Sequence, residues 1–166
     1  IEKADFMEDA PKKYFRLSIG REVRLKHAYY VTCTKIVKND AGEITAVHCS
    51  YDPKSKGGWT DDGRRVKGTL HWVSVKHAID AEVRLYDRLF NVEGPMNHKN
   101  NFIDAINPNS LITLEHCKLE PSLKKINFSI YYQFLRTGYF CFDKTATAKK
   151  LIFNRTTTLR DSWKKV

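Results

Sequence analysis

The pattern that most restricts the fold of this chain is alternation with a period of two. In YFRLSIGREVRLKHAYYV, residues 14 to 31, the segment Glu22-Val23-Arg24-Leu25-Lys26 switches between charged and apolar side chains at each step. A β-strand sends successive side chains to opposite faces, so Val23 and Leu25 point one way and Glu22, Arg24 and Lys26 the other. Comparable short runs recur along the chain. Residues 22 to 37 and 43 to 51 read as strands joined by the turn Asn39-Asp40-Ala41-Gly42. After the polar, glycine-rich stretch DPKSKGGWTDDG at 52 to 63, VKGTLHWVSV from Val66 and AEVRLYDRLF at 81 to 90 return the chain to a sheet. A short helix is expected from Phe102 to Ile106, stopped by Asn107-Pro108. Ser110 to Cys117 reads as a strand, and Ile126 to Arg136 with Tyr139 to Asp143 as a hairpin turned at Thr137-Gly138. The last segment, FNRTTTLRDSW, has little periodicity and is expected to wrap the surface. Many short strands with few helices predict a mostly β, barrel-like architecture.

A strand with one charged face is ordinary, and composition supplies the reason to look further. Lys and Arg number 29 against 19 Asp and Glu among 166 residues, a net charge of +10 and a pI near 9.5. An excess of that size points to a polyanionic partner. No run approaches about 18 uninterrupted apolar residues, and neither a leader nor a long basic amphipathic helix is recognisable, so nucleic acid is favoured over a membrane. Cys33, Cys49, Cys117 and Cys141 lack the close CxxC spacing of zinc sites, which predicts a reduced, cytoplasmic protein. His48-Cys49 and His116-Cys117 are neighbours on strands, where their side chains diverge, and no metal site is expected. GxGxxG, GxxxxGK[ST], GxSxG and HExxH are absent, and no catalytic constellation is recognisable.

The strings GREVRLKHAYYV, RRVKGTLHWVS, AEVRLYDRLF, INPNSL, EPSL, GYFCFD and FNRTTTLRDSW, in this order, resemble the C-terminal anticodon-binding region of glutaminyl-tRNA synthetases. The related glutamyl-tRNA synthetases of eukaryotes and archaea share this region. The resemblance implies two β-barrels, a distal one inserted in a proximal one. It assigns residues 13–75 to the distal barrel, and residues 1–12 with 76–166 to the later part of a proximal barrel whose opening strands are missing. On that basis the distal barrel should be closed and the rest an open sheet, with Val83, Leu85, Phe134 and Phe140 less completely packed than Val23, Leu25 and Trp72. The resemblance also implies a part of a class I enzyme that uses ATP to join glutamine to its tRNA. HIGH-like and KMSKS-like signatures are absent, Lys54-Ser55-Lys56 being read as a solvated turn. This stretch is therefore expected to hold no cofactor and no catalytic residue, with ATP bound by the catalytic domain of the same full-length chain.

The resemblance further suggests what the basic face does. The partner would be the anticodon loop of the glutamine-accepting tRNA, a single-stranded target whose bases can be splayed into pockets. Arg16 matches a position near the third letter, a guanine, to which a guanidinium can donate two hydrogen bonds. Arg24 and Lys26 match positions around the first letter and its phosphates. Gln133 matches the position facing the middle uracil, whose edge suits an amide, and Arg136, three residues on, is expected either to reach the backbone or to be a rim charge. The chain departs from the family pattern at Phe15, where relatives carry a basic residue, and at Leu135, where they carry an acidic one. Phe15 is expected to stack on a base or to serve the core. Trp59, in a glycine-rich loop, is expected to pin that loop, with an exposed stacking platform as the alternative, and Trp72 and Trp163 are expected to lie in the core. Arg84 and Arg88, and Arg155 and Arg160 with Asp161, are expected in structural ion pairs. Two rival readings are a general OB-like single-strand-binding module and a protein-docking module that touches RNA little.

Overall fold

In a computed structural model, which describes residues 1–94, 101–125 and 127–159, the described residues form nine strands and short 3-10 turns. The expectations placed on Ile126, Arg160, Asp161 and Trp163 lie outside the described residues. Ile1–Trp72 form one compact unit and Val73–Val166 another.

The first unit contains β1 (Glu22–Leu25), β2 (Tyr30–Lys38), β3 (Ile44–Tyr51) and β4 (Thr69–Leu70), in the order β3-β2-β1-β4. The β2–β3 turn forms where the sequence marks it. Gly42 takes φ +79, its N–H bonds the Asn39 carbonyl at 2.9 Å, and the Asn39 side chain accepts from Glu43 N at 2.8 Å. The run expected from 22 to 37 is instead broken after Leu25, since Leu25 N donates to Tyr29 O across a tight turn. His27 stands there at φ +58, an unusual conformation for a residue that is not glycine. Lys26 therefore lies in a turn and not on the strand. Leu17, Val23, Val31, Cys33 and Leu70 form the core, with Phe6, Leu25, Ile36 and Val47 around it.

Closure of this first sheet was expected, and the pairings among the described residues do not close it. β4 is two residues long and joins β1 in parallel at Arg24↔Thr69 and Leu25↔Leu70, and the order ends at β3 on the other side. Residues 1–12 make their described backbone bonds within this unit, Met7 N donating to Leu17 O at 3.1 Å and Leu17 N to Asp5 O at 3.0 Å.

The second unit contains β5 (Ile79–Tyr86), β6 (Leu111–Leu119), β7 (Tyr132–Phe134), β8 (Gly138–Phe142) and β9 (Leu151–Thr157), in the order β6-β5-β9-β8-β7. The helix expected at 102–106 is a single 3-10 turn, Phe102–Ala105, with the Asn101 side chain accepting from Ile103 N. The larger departure is β9. The first five residues of the segment read as surface wrapping, 153–157, belong to the central strand, which is parallel to β5 and antiparallel to β8. Leu151, Ile152 and Phe153 are all buried, and a strand flanked on both sides shows a continuous apolar run instead of alternation.

The expected looser packing of this unit is corrected at Phe140 and Trp72, while Val83 is slightly less buried than Val23 and Leu85 and Phe134 are half-buried like Leu25. Phe140 and Phe153 are fully buried and Val83 is 5% exposed, whereas Trp72 of the first unit is 37% exposed. The aromatic residues of β7, β8 and β9 account for it. Phe134 stacks on Phe140 with ring centroids 4.3 Å apart, and Phe142 lies 4.3 Å from Phe153.

A polar knot closes the end of this core. Asp143 accepts hydrogen bonds from Thr145 N and Oγ1, from Asn154 Nδ2 at 2.8 Å and from Arg84 Nη1 at 3.1 Å. Arg84 also pairs with Glu82, so the expected structural role holds for Arg84. The Thr145 hydroxyl, then Asn154, the Thr145 N–H and the Arg84 charge, hold the Asp143 carboxyl well below its ordinary value of 3.8. A depressed carboxylate contributes stability that is present above its unfolded pKa and is lost as pH falls below it. The melting temperature of the second unit is therefore expected to be level above about pH 5 and to fall on acidification through pH 4 and below. Asp143→Asn should flatten that fall, and a melting curve with the same acid dependence in both chains would contradict it.

Candidate nucleic-acid interface

The segment Lys67 to Trp72 organises the exposed basic residues of the first unit. Its alternation sends Gly68 and Leu70 inward, both buried, and leaves Lys67 exposed and Thr69 half-buried beside β1. Lys67, Gly68, Thr69, Leu70 and Trp72 each meet a residue named by the sequence. The Lys67 ammonium lies 5.4 Å from the centre of the Phe15 ring, which is 50% exposed. Gly68 packs so closely that a Cβ there would come within 2.6 Å of the Phe15 carbonyl oxygen, and its own carbonyl accepts from Arg24 N at 2.8 Å. The Thr69 hydroxyl accepts from Arg24 Nε at 3.1 Å and Nη2 at 3.0 Å. Lys26 N donates to Leu70 O at 2.9 Å, and the Trp72 indole N–H donates to Lys26 O at 3.0 Å. Trp72, expected in the core, thus stands at the surface because its indole N–H is spent on the turn that carries Lys26.

Two residues of this surface were missed or misread. Lys67, which the sequence reading did not single out, carries a cation to the ring of Phe15. Trp59, expected to pin its loop, is 74% exposed. The pinning runs the other way. The Arg24 guanidinium lies 5.5 Å from the centre of the Trp59 ring and its Nη1 donates to Gly58 O at 3.3 Å. Local sequence could have flagged Trp59 only through the glycines that precede it. Gly58 adopts φ +89, and a Cβ at this position would lie 2.6 Å from Arg24 Cδ.

The foot of the same loop is held by Arg64, which bonds Glu22 at 3.0 Å and 3.1 Å, pairs with Asp52 and Asp62, and covers the Tyr30 ring at 5.1 Å. These partners keep the Arg64 guanidinium protonated well above its ordinary range, Glu22 contributing most. The Thr60 hydroxyl and Arg64 draw Asp62 down to about 2. Ser55, in the stretch read as a solvated turn, is fully buried, accepting from Tyr30 N at 2.7 Å and donating to Asp52 O at 2.6 Å.

Arg16 stands apart from the row. Its Nη1 bonds Asp5 Oδ1 at 3.0 Å and Ala4 O at 3.1 Å, the Asp5 side chain being 1% exposed and that of Arg16 39%. Among the described residues Nε and Nη2 have no protein partner, so one edge of the guanidinium is anchored and the other is open to a ligand.

Gln133 and Arg136 belong to the second unit. Gln133 is exposed on β7 opposite Tyr139, on the face away from Phe134 and Phe140. Arg136 is exposed on the β7–β8 turn at φ +67, and Leu135 beside it is 39% exposed. Among the described residues no three His, Cys, Asp or Glu side chains come together to hold a metal ion, and no helix is long and apolar enough to cross a membrane.

Two family models match the chain, both described as tRNA synthetases class I (E and Q), anti-codon binding domain, one over residues 1–52 and the other over 69–143. The Glutamine--tRNA ligase of Nitrobacter winogradskyi is 49% identical over 166 residues, covering 100% of this chain and 29% of the relative. Its counterpart in Nitrobacter hamburgensis is 51% identical over 166 residues, covering 100% and 29%. That of Proteus mirabilis is 49% identical over 166 residues, covering 100% and 30%. The chain thus spans less than a third of the length of these curated relatives.

Proposed function

Because the chain belongs to the family of anticodon-binding domains of class I glutamyl- and glutaminyl-tRNA synthetases, we propose that it reads the anticodon loop of a glutamine-accepting tRNA for a ligase acting elsewhere in the full-length protein. In that division of labour ATP and glutamine are handled by the catalytic domain, and this chain supplies recognition. The observation that carries the reading is the row from Lys67 to Trp72, which holds Phe15, Arg24 and Lys26 on one unit. In this reading residues 13–75 act as the distal module around the first and third letters and 76–166 as the proximal one, while residues 1–12, which the resemblance assigns to the proximal module, are bonded within the first unit.

The roles differ by what each side chain has left to offer. Arg16 presents a free guanidinium edge, the geometry a guanine's O6 and N7 require. Lys26 has no acidic partner among the described residues and serves as a phosphate contact. Arg24 spends Nε, Nη1 and Nη2 on Thr69 and Gly58, which supports a lesser direct role than the resemblance suggests. Gln133, exposed on β7, faces the middle uracil, with Arg136 on the adjoining backbone. Lys67 restores the positive charge that Phe15 lacks. The four cysteines are unpaired, which supports a cytoplasmic location.

Titration with a glutamine-tRNA anticodon stem-loop, and with loops changed at the middle and third letters, tests the reading. If about three to five phosphates are neutralised, log K should fall with log salt at a slope of about −2 to −4. Lys26→Ala should weaken all loops alike. Binding that ignores the anticodon letters would favour a general single-strand binder, and binding with no salt dependence would remove the phosphate contacts from the account.

A further inference from the structure

We propose that Trp59 is a stacking platform for one unpaired base of the bound RNA, an inference that rests on the RNA-reading function above. A tryptophan ordinarily hides most of its surface, so an indole 74% exposed is a cost the fold leaves standing. It is also held in place. One cation, Arg24, lies 5.5 Å from the ring centre and is itself fastened to Thr69 on β4. The Gly58 carbonyl accepts from the same guanidinium, and only a glycine can bring the backbone so close. At the other end of the loop Arg64 ties Asp62 to Asp52 and Glu22. An aromatic plane anchored at both ends of its loop loses little freedom when a ligand lands on it.

The kind of ligand follows from the neighbours. A guanidinium against the indole and a net charge of +10 favour a flat aromatic group carrying phosphate. Single-stranded nucleic acid offers that pairing, its bases stacking on aromatic side chains while its backbone meets cations. Stacking does not read hydrogen-bond edges, so Trp59 adds affinity at a loop position whose identity is tolerated.

The 166-residue chain, its Trp59→Ala and Trp59→Phe variants, and a set of anticodon stem-loops each lacking one loop base provide the test. Trp59→Ala is expected to weaken the intact stem-loop about five- to a hundredfold, and Trp59→Phe to retain most of the affinity. The slope with salt should not change, because no charge is removed. Removing a base should weaken the unsubstituted chain at one position where Trp59→Ala no longer responds. This coupling separates stacking from any disturbance of Arg24, and equal thermal unfolding of the variants checks the fold. Unchanged affinity in Trp59→Ala, or the same response to every missing base in both chains, overturns the platform and leaves RNA reading intact. No binding of any stem-loop by the unsubstituted chain overturns the RNA reading itself.

Discussion

Phe153→Ala is expected to destabilise the second unit by about 3–5 kcal/mol, the range for removing a buried phenylalanine ring. Phe153 is fully buried, and its ring centre lies 4.3 Å from Phe142, 5.2 Å from Phe134 and 6.0 Å from Tyr132. The cost belongs at the upper end because β9 is flanked by β5 and β8, so neither neighbour can collapse into the vacated space without breaking its ladder. Phe153→Leu, which leaves a smaller cavity, should lose clearly less. Urea unfolding followed by near-ultraviolet circular dichroism of the clustered rings measures both. A loss below about 1 kcal/mol for the alanine variant would mean that the aromatic cluster does not organise this sheet.

Arg16→Ala is expected to weaken the cognate stem-loop by about 1–3 kcal/mol and to relax discrimination at the third letter, as loss of a bidentate guanine contact should. It also withdraws the cation from the Asp5 carboxylate, which is 1% exposed, so a loss of stability will accompany the loss of binding. Arg16→Lys separates the two effects. An ammonium can keep the charge opposite Asp5 but lacks the planar fork, so stability should be largely retained while third-letter discrimination falls. Competition between guanine and adenine loops gives the readout. If Arg16→Ala weakens every loop equally, Arg16 contacts phosphate and does not read a base.

The legible parts of this fold were those written in local chemistry. Asn39 to Gly42 announced a hairpin, because an asparagine that caps its own turn and a glycine free to take positive φ act over four residues. The turn at Lys26 to Tyr29 carried no such mark. Its residues are ordinary ones, and His27 is held at φ +58 by the pairing of β1 with β2 on either side. β9 escaped for a related reason, since its run of buried residues has no period and only pairing with β5 on one side and β8 on the other makes it a central strand.

The candidate surface divides in the same way. Charge, alternation and the resemblance to a known family were enough, from sequence, to single out Phe15, Arg16, Arg24 and Lys26 as the residues expected to meet the anticodon loop. Tertiary structure alone decided which protein groups each of them already touches. The meeting of Lys67 with Phe15, of Thr69 and Gly58 with Arg24, and of Asp5 with Arg16 joins residues far apart in sequence. Which hydrogen bonds a guanidinium has already made, and which face of an indole is left open, depends on the packing of distant segments. Composition sets how much charge the chain carries, but only the fold decides which charges remain available to a ligand.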